Sequence, residues 1–595
     1  MPSRAFILIL LFVVSSPLVT GQSLPEERKC DWGNAGVRDS STLGYAIISV
    51  LDYDLVADGK TSNDSLLLNL FAEHFGEPFV VQFDAGIYLF TEAIVLPANC
   101  VLRGKGAGLT QLRLEHAGSG DGVIMKGAGK NGTSTLLSAS SLRGSNEVRV
   151  NSELDFEMGD WIQFSQSDTD LMNNDWAYGS YGQICQIEAI DGKKIILRDT
   201  LRLDLMTSRN AFASRVDMLE GSGIECLQIK RIDSTAPEQS STIRMENAAN
   251  CWVRGVQSDS CTFSHITAIR CSHIGVTQSY FQHGFTYGNG GRAYGVVLEF
   301  TTGDCRVENN VFNHLRHAVL MQAGSNGNVV ANNGVYNSFW EDVNLPADAA
   351  GDLVLHGNYP FLNLFEQNFC NNIVIDNSHG ANGPYNTFLR NRAVKWGVFF
   401  SDSSSPSQNI LGNEITNTDF PYSALNYRLL GKDHYTYGNL VRGKVQPDGT
   451  DDIADSSFAY AKKPHFLADS QWVSFGLPRQ SADGLIPAGI RWENQVEIAP
   501  CKIVIVLPPP PTGFLNIEYE KLLIYPNPSC GNFTLEHVSG IEDVHVYAMD
   551  GRLISTLACR GESKYQLSLL KGLYIVEVVL SNAVIERHLV SVVGD

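Results

Sequence analysis

The sequence predicts an all-β protein: a solenoid of stacked coils followed by a small C-terminal β-sandwich. Three observations carry that prediction. Charged residues make up 18% of the 595 while Gly numbers 54, and a chain poor in Lys and Glu but rich in Gly, Asn, Ser and Thr reads as strands and turns. From about residue 224 the chain repeats: segments beginning at Cys226, Cys251, Cys271, Cys305, Asn328, Asn363, Asn386 and Asn409 are spaced 25, 20, 34, 23, 35, 23 and 23 residues apart. A period in that range marks stacked units, and about 23 residues suits a three-sided coil of short strands. Beyond a proline run, residues 515–595 alternate strands with Pro and Asp-Gly turns, the pattern of a small sandwich.

Residues 1–21 read as a signal peptide: Arg4, an apolar run from Ala5 to Val14, then Val19-Thr20-Gly21 ahead of cleavage before Gln22. The run is too short to span a bilayer, so the expected mature chain is exported and soluble. A net charge of −20 speaks against nucleic-acid binding, which needs a basic footprint. Twelve Cys without a C-x-x-C argue against a zinc ribbon or a thioredoxin-type site.

Residues 30–133 carry Asp52-Tyr53-Asp54, Asp58-Gly59, Asn63-Asp64, Phe83-Asp84-Ala85-Gly86-Ile87-Tyr88, Leu96-Pro97-Ala98-Asn99 and Arg103-Gly104-Lys105-Gly106. This order resembles the opening coils of pectate-lyase-superfamily proteins. The resemblance implies that the solenoid is a right-handed parallel β-helix, and it says little about chemistry. Residues 134–210, with short runs at 148–150, 161–164, 184–187 and 194–197, read as an inserted small β region. The β-helix body is 211–445. Within it Cys226, Cys251, Cys271 and Cys305 read as a stacked column of free thiols, with bridging between coils as the alternative. Asn328, Asn363, Asn386 and Asn409 continue that column, and Asn310, Asn333, Asn368 and Asn391 form a second. A further strand in each coil has three apolar residues followed by a polar one: Glu299, Gln322, His356, Asp376 and Ser401. Residues 446–514 are a trailing segment ending in the stiff linker Leu507–Gly513.

In 515–595, Tyr525-Pro526-Asn527-Pro528, Gly531-Asn-Phe533, Val544-His-Val546-Tyr547, Asp550-Gly551-Arg552 and Gly572-Leu573-Tyr574 resemble the C-terminal sorting domain of type IX secretion. The resemblance implies the type IX secretion machinery as a partner. It also implies a place outside a Gram-negative, Bacteroidota-like cell, secreted or on the outer surface.

The two long spacings leave extra segments at about 280–293 and 336–350, and long loops in a compact body are functional or disordered. Both should project from one corner beside the polar column. Polysaccharide lysis needs a base and a cation, and hydrolysis needs two carboxylates. Glu299, His356 and Asp376 are therefore the expected catalytic residues. Tyr287, Arg292, Gln322, Trp340, Glu341, Asp342, His379 and Arg390 are the expected substrate-binding residues, with Trp340 and Tyr287 stacking on sugar rings. The composition of His379–Tyr385 equally suits a plain turn, and the column could merely satisfy strand ends. Asn417-Thr-Asp419, Asp451-Asp452 and Ser378-His379-Gly380 stand in the wrong order for a polygalacturonase-type site. No cofactor is expected; Asp52, Asp54, Asp58 and Asp64 match a calcium-binding spacing only loosely. The function expected is an exported monomer acting on extracellular polysaccharide as a lyase or glycoside hydrolase, and the alternative is a non-catalytic surface glycan binder or adhesin. Nucleic acid is excluded, and membrane is met only through surface attachment.

Overall fold

The computed structural model describes residues 23–116, 120–152, 156–233, 239–342, 344–467, 472–478, 485–496, 499, 501, 523–525, 532–548, 552–580 and 585–592. The signal segment, the proline linker, Pro526-Asn527-Pro528, Gly531 and Asp550-Gly551 lie outside them. The chain divides into two units, 1–40 with 46–507 and 41–45 with 508–595, taken separately below.

The first unit is a right-handed parallel β-helix whose coils contribute to three sheets. Sheet A has 12 strands, from Ala46–Ser49 through Gly223–Glu225, Arg306–Glu308 and Thr387–Leu389 to Tyr435–Tyr437. Sheet B takes the next strand of each coil, including Gln257–Cys261, Tyr280–Gly284, Val311–Asn313 and Gly334–Tyr336. Sheet C takes the last, including Ser264–Ile269, Tyr294–Glu299, His317–Met321 and Leu353–Leu355. Sheets B and C share the long strands Phe369–Ile375 and Arg392–Phe400.

Register follows from alternation, since successive side chains point to opposite faces. In sheet C the rows Val296, Val319, Leu353, Ile373, Val398 and Leu298, Met321, Leu355, Ile375, Phe400 face the interior. Between them Val297, Leu320, Val354, Val374 and Phe399 face outward. Inside the coils Phe281 stacks on Phe312 and Phe365 on Phe388 at 5.3 and 5.0 Å between ring centroids. Each such pair adds about 0.5–1.5 kcal/mol beyond burial.

Two asparagine ladders bind the turns. In one, Asn310, Asn333, Asn368, Asn391, Asn413 and Asn439 each accept, through Oδ1, the backbone N–H of the residue one coil earlier, at 2.9–3.0 Å. The other runs Asn328, Asn363, Asn386 and on to Gln408. This corrects the expected column. Thr387 pairs with Asn409, so Gln408 rather than Asn409 holds the ladder position. Gly223 pairs with Trp252 and Gly275 with Arg306, so Cys226 and Cys271 do not stack on Cys251 and Cys305. Counting residues between repeats cannot see that turn lengths differ from coil to coil. Cys251, Cys271 and Cys305 are buried free thiols, pushed far above the ordinary thiol range by burial. Cys226 is not free: it pairs with Cys501, 275 residues away.

An antiparallel six-stranded sheet spanning Gly129–Asp217 is inserted between the sheet C strand Val123–Lys126 and the sheet A strand Gly223–Glu225. After the last coil the chain runs back along the stack as a strap. Arg390 donates to the carbonyls of Asp455 and Leu477 at 2.8 Å, Trp492 stacks on Tyr336 at 4.4 Å, and Cys501 closes on Cys226. A disulfide closing so long a loop contributes about 2–5 kcal/mol. Cys501→Ser should therefore lower the melting temperature of the β-helix by several degrees in calorimetry. An unchanged transition would mean that Arg390, Trp492 and Arg491, which donates to the Asn309 carbonyl at 2.7 Å, hold the strap by themselves.

The second unit is a five-stranded antiparallel sheet, with Asn532–Ala548 and Leu553–Ser568 as its long strands. Phe533, Leu535, Ile541, Val544, Val546, Val576, Val578 and Val590 form its core.

Candidate functional site

The three faces of the helix are covered unequally. The outer face of sheet A (Val329, Ala331, Leu364, Leu389, Leu411) packs with Leu24 and Trp32 of the N-terminal segment and with Ile162 and Phe164 of the insert. On sheet B, Tyr280 and Val311 pack against Phe475, Ile486 and Ala488 of the strap. Sheet C carries the polar column on its outer face, where His356 and Asp376 are only 16% and 20% exposed but reachable.

The two extra loops do share one corner, between sheets B and C. Their contact is direct, the Glu341 N–H donating to the Tyr287 carbonyl at 3.1 Å. They stand at the start of the sheet C strands, however, and the polar column at the end. From Tyr294 to Glu299 that is about 17 Å at ~3.3 Å per residue. The column is flanked instead by the insert. There the N–H groups of Asn173 and Asn174 donate to Asn358 Oδ1 at 2.8 and 3.2 Å. Trp176 lies edge-on to Phe300 and His379 at 5.7 and 5.4 Å.

At the centre of the column, Nδ1 of His356 lies 2.6 Å from Oδ2 of Asp376. The ring N–H points off that line, so the attraction is more coulombic than a well-formed hydrogen bond. Asp376 also accepts from Ser378 Oγ at 2.7 Å and from the Ser378 N–H at 3.1 Å. Burial alone would push its carboxyl up, but the His356 ring and the two Ser378 donors outweigh it and hold the group at about 2. His379 stands edge-on to His356 at 5.0 Å between ring centroids and is lowered first by burial and then by the His356 charge. His317, 6.2 Å from His356 between rings, bonds the Gly351 carbonyl at 2.6 Å through Nδ1. Burial, Arg316 and His356 lower it to about 3, so it is neutral. Glu299 lies two strands from His356, about 10 Å at ~4.8 Å per strand. It is buried, bonded to Gln322 Nε2 at 2.6 Å, and raised by burial.

The other expected binding residues divide. Trp340 is partly exposed and faces Arg316, whose guanidinium carbon is 4.8 Å from the ring centroid. Glu341 is exposed, and Asp342 accepts the Asn344 N–H at 2.7 Å. Arg292 is partly exposed and donates to Thr286 Oγ1 at 3.4 Å. Tyr287 does not offer a stacking face: it is buried, its hydroxyl accepts the Gly284 N–H at 2.9 Å, and its ring packs edge-on to His314 and Phe339. Arg390 is a correction. It lies at the A–B corner, buried, and clamps the strap; burial lowers its pKa to about 10. Trp176, Asn174, Arg316 and His317 escaped the sequence reading. The first two sit in the insert, where no repeat marks them; Arg316 precedes an otherwise ordinary apolar strand and His317 opens it.

Among the described residues no three His, Cys, Asp or Glu side chains are grouped to hold a metal. Asp58 instead accepts the Lys60 and Thr61 N–H groups at 2.8 Å, and Asp64 those of Thr91 and Glu92. A cavity of about 360 Å³ lined by Tyr427, Leu429, Thr436, Gln446, Pro447 and Asp448 lies at the last coils, not over the His356–Asp376 pair.

Residues 523–592 match the model of the secretion system C-terminal sorting domain. The second unit is a sorting domain. The sorting domain marks the chain as a secreted or cell-surface protein that engages secretion machinery. No curated protein matches the sequence. Among solved structures the chain is similar to the tailspike protein gp49 from Pseudomonas phage LKA1, at 16% identity and a TM-score of 0.49. That alignment covers 62% of this chain and 64% of the tailspike, a little under two thirds of its length. The surface adhesin PfbA of Streptococcus pneumoniae is similar at 12% identity over 66% of this chain and 84% of the adhesin, with a TM-score of 0.32. The catalytic domain of an α-1,3-glucanase in complex with tetrasaccharides is similar at 10% identity over 72% and 63%, with a TM-score of 0.35. These likenesses are of fold alone.

Proposed function

We propose that this secreted β-helix protein acts on extracellular polysaccharide, with the sugar chain lying across the outer face of sheet C over His356 and Asp376. The observation that carries the reading is the 2.6 Å approach of the two side chains, both partly exposed. A carboxylate that stays ionised beside an imidazole orients the ring and stabilises the imidazolium it becomes on accepting a proton. Hydrolysis calls for two carboxyl groups facing one bond, and here Glu299 is remote and buried. Lyase chemistry therefore fits better. His356 takes the proton at C5 of a uronate, the C4–O bond breaks to leave a C4–C5 double bond, and water returns a proton to the leaving oxygen. The reading places the chain outside a Gram-negative, Bacteroidota-like cell, delivered by type IX secretion and working as a monomer.

Incubation with uronate and neutral glycans tests it. Ultraviolet absorbance from an unsaturated product is expected; new reducing ends without it would mean hydrolysis, and inertness toward every glycan would sink the enzymatic reading. A second reading, a glycan binder, is favoured by the bonds within the column itself, Gln322 to Glu299 and Ser401 to Asn377 at 2.6 and 2.9 Å. It expects saturable binding without turnover, weakened by Trp340→Ala.

A further inference from the structure

Where the insert meets the polar column, it fixes a proton. Asn358, buried just past the sheet C strand Leu353–Leu355, accepts the backbone N–H groups of Asn173 and Asn174 at one end of its amide, at 2.8 and 3.2 Å. Backbone N–H groups only donate, so that end is Oδ1 and the other is Nδ2. Nδ2 donates to Asn174 Oδ1 at 3.1 Å. Asn174 is thereby oriented too, because a reversed amide would set donor against donor. The same Oδ1 lies 3.2 Å from Nδ1 of His379. An amide oxygen only accepts, so Nδ1 carries the ring proton, and in the neutral ring Nε2 is a bare lone pair. Nε2 makes no hydrogen bond among the described residues and is not sealed from solvent.

The contact between insert and column is close. A Cβ on Gly380 would come 2.5 Å from that of Asn173, and one on Gly357 would come 2.7 Å from the His379 carbonyl oxygen. Only glycine at both positions allows this approach. The Asn358 N–H donates to the His379 carbonyl at 2.8 Å, which holds the backbone. Trp176 and His356 stand edge-on to the ring at 5.4 and 5.0 Å between centroids, which holds the side chain. Burial first and the His356 charge second lower the tendency of His379 to take another proton, against an opposing pull from Asp376. A nitrogen that can only accept is therefore presented beside the His356–Asp376 pair.

We propose that Asn174 is a positioning residue that holds His379 in the Nδ1–H form, and that the bare Nε2 accepts a hydrogen bond from a free hydroxyl of the glycan next to His356. The inference rests on the polysaccharide reading above and deepens it with a rule of selection: the sugar beside the reacting bond carries an unsubstituted hydroxyl. An O-acetyl group at that oxygen offers no proton. It leaves Nε2 unpaired and crowds the space between the His356 and Trp176 rings. A site built to pair with a hydroxyl rejects the analogue that lacks it, because its own polar group is left without a partner. The insert thus contributes to selection through a side chain that lies 205 residues from His379 in the chain.

The test has two arms, both on the full-length secreted chain. In the first, the chain is labelled with nitrogen-15 at histidine, and two-bond proton–nitrogen spectra are recorded at pH ~8, above the ordinary imidazole range. His379 is identified as the ring whose signals vanish in His379→Phe. It should show a protonated Nδ1 and a bare Nε2; a protonated Nε2 would overturn the proposal. Asn174→Ala, which removes the acceptor, should move the proton to Nε2 or spread it over both nitrogens. Asn174→Asp, which keeps an acceptor oxygen, should leave it on Nδ1. An unchanged pattern in Asn174→Ala would overturn the role of Asn174. The parent spectrum decides the tautomer even where a variant fails to fold. In the second arm, the chain is bound to an array of glycans in pairs, O-acetylated and de-O-acetylated. Free-hydroxyl forms should be retained over acetylated ones, and His379→Phe should reduce that preference by about threefold to tenfold, the range for one neutral hydrogen bond. Equal retention of both forms, or a preference indifferent to His379→Phe, would overturn the hydroxyl contact while leaving the polysaccharide reading in place. Retention of no glycan would overturn that reading and the hydroxyl contact with it, and the tautomer would still stand or fall on the spectra.

Discussion

On the lyase reading, replacing His356 with Ala should lower glycan turnover by about 10²- to 10⁴-fold, the range for removing a positioned acid–base group, with little change in thermal stability because the ring is partly exposed. Asp376→Asn keeps the shape and removes the charge that steadies the imidazolium, so its loss should fall mainly in kcat rather than KM. Glu299→Gln, two strands away, should have far less effect. A parallel loss in all three would indicate a general role for the column in folding. Asp376 also gives a pH signature. Its carboxyl is held at about 2 against an ordinary 3.8, so its native-state attraction is fully present above the ordinary value. That stability is lost as pH falls through the folded value. The acid-unfolding profile of Asp376→Asn should therefore lack the part of the slope below pH ~3.8 that the parent shows; superimposable profiles would refute the pairing.

Asn333→Ala should be among the most destabilising single changes in the β-helix. The amide accepts the backbone N–H and the Nδ2–H of Asn310, each at 3.0 Å, and donates to Val307 O and Asn368 Oδ1 at 2.9 and 3.0 Å. It is sealed from solvent. Its removal orphans several buried groups in neighbouring coils, at about 1–3 kcal/mol for each group that finds no new partner, or about 3–6 kcal/mol together. Asn337→Gly, which removes an exposed amide bonded to Asn313 at 2.9 Å and suits the left-handed backbone there, should change stability by within ~0.5 kcal/mol. The midpoint of urea unfolding compares the two. Equal midpoints would mean that the ladder relaxes around a gap rather than acting as a continuous spine.

The ladder itself was readable in advance. Stacked coils set equivalent residues over one another, so Asn310, Asn333, Asn368 and Asn391 recur at spacings of 23, 35 and 23, the long one taking in the loop at 336–350, and two more members, Asn413 and Asn439, complete the run. The sheet C rows were readable for the same reason, because a strand period of two combined with the coil period leaves one polar position at each strand end. Cys226 was misplaced because spacing does not reveal where in its coil a residue falls. It sits one residue past its sheet A strand and meets Cys501 only because the strap returns.

The site divides along the same line. His356 and Asp376 are adjacent because their strands are neighbours in sheet C, which the repeat alone implied. Arg390 has the same local character as a binding arginine and is removed from the site only by its corner and the strap that covers it. His379 stands in a segment with the composition of a turn, and its ring proton is placed only once Asn174 of the insert meets it. By itself the sequence determined the coil architecture, the Asn310–Asn391 column and the sorting domain, because those depend on periodic patterns and local turns. Which corner each loop occupies, which face stays open and which partner His379 finds depend on the packing of insert, N-terminal segment and strap around the helix. Those are contacts between residues far apart in the chain, and only the tertiary structure decided them.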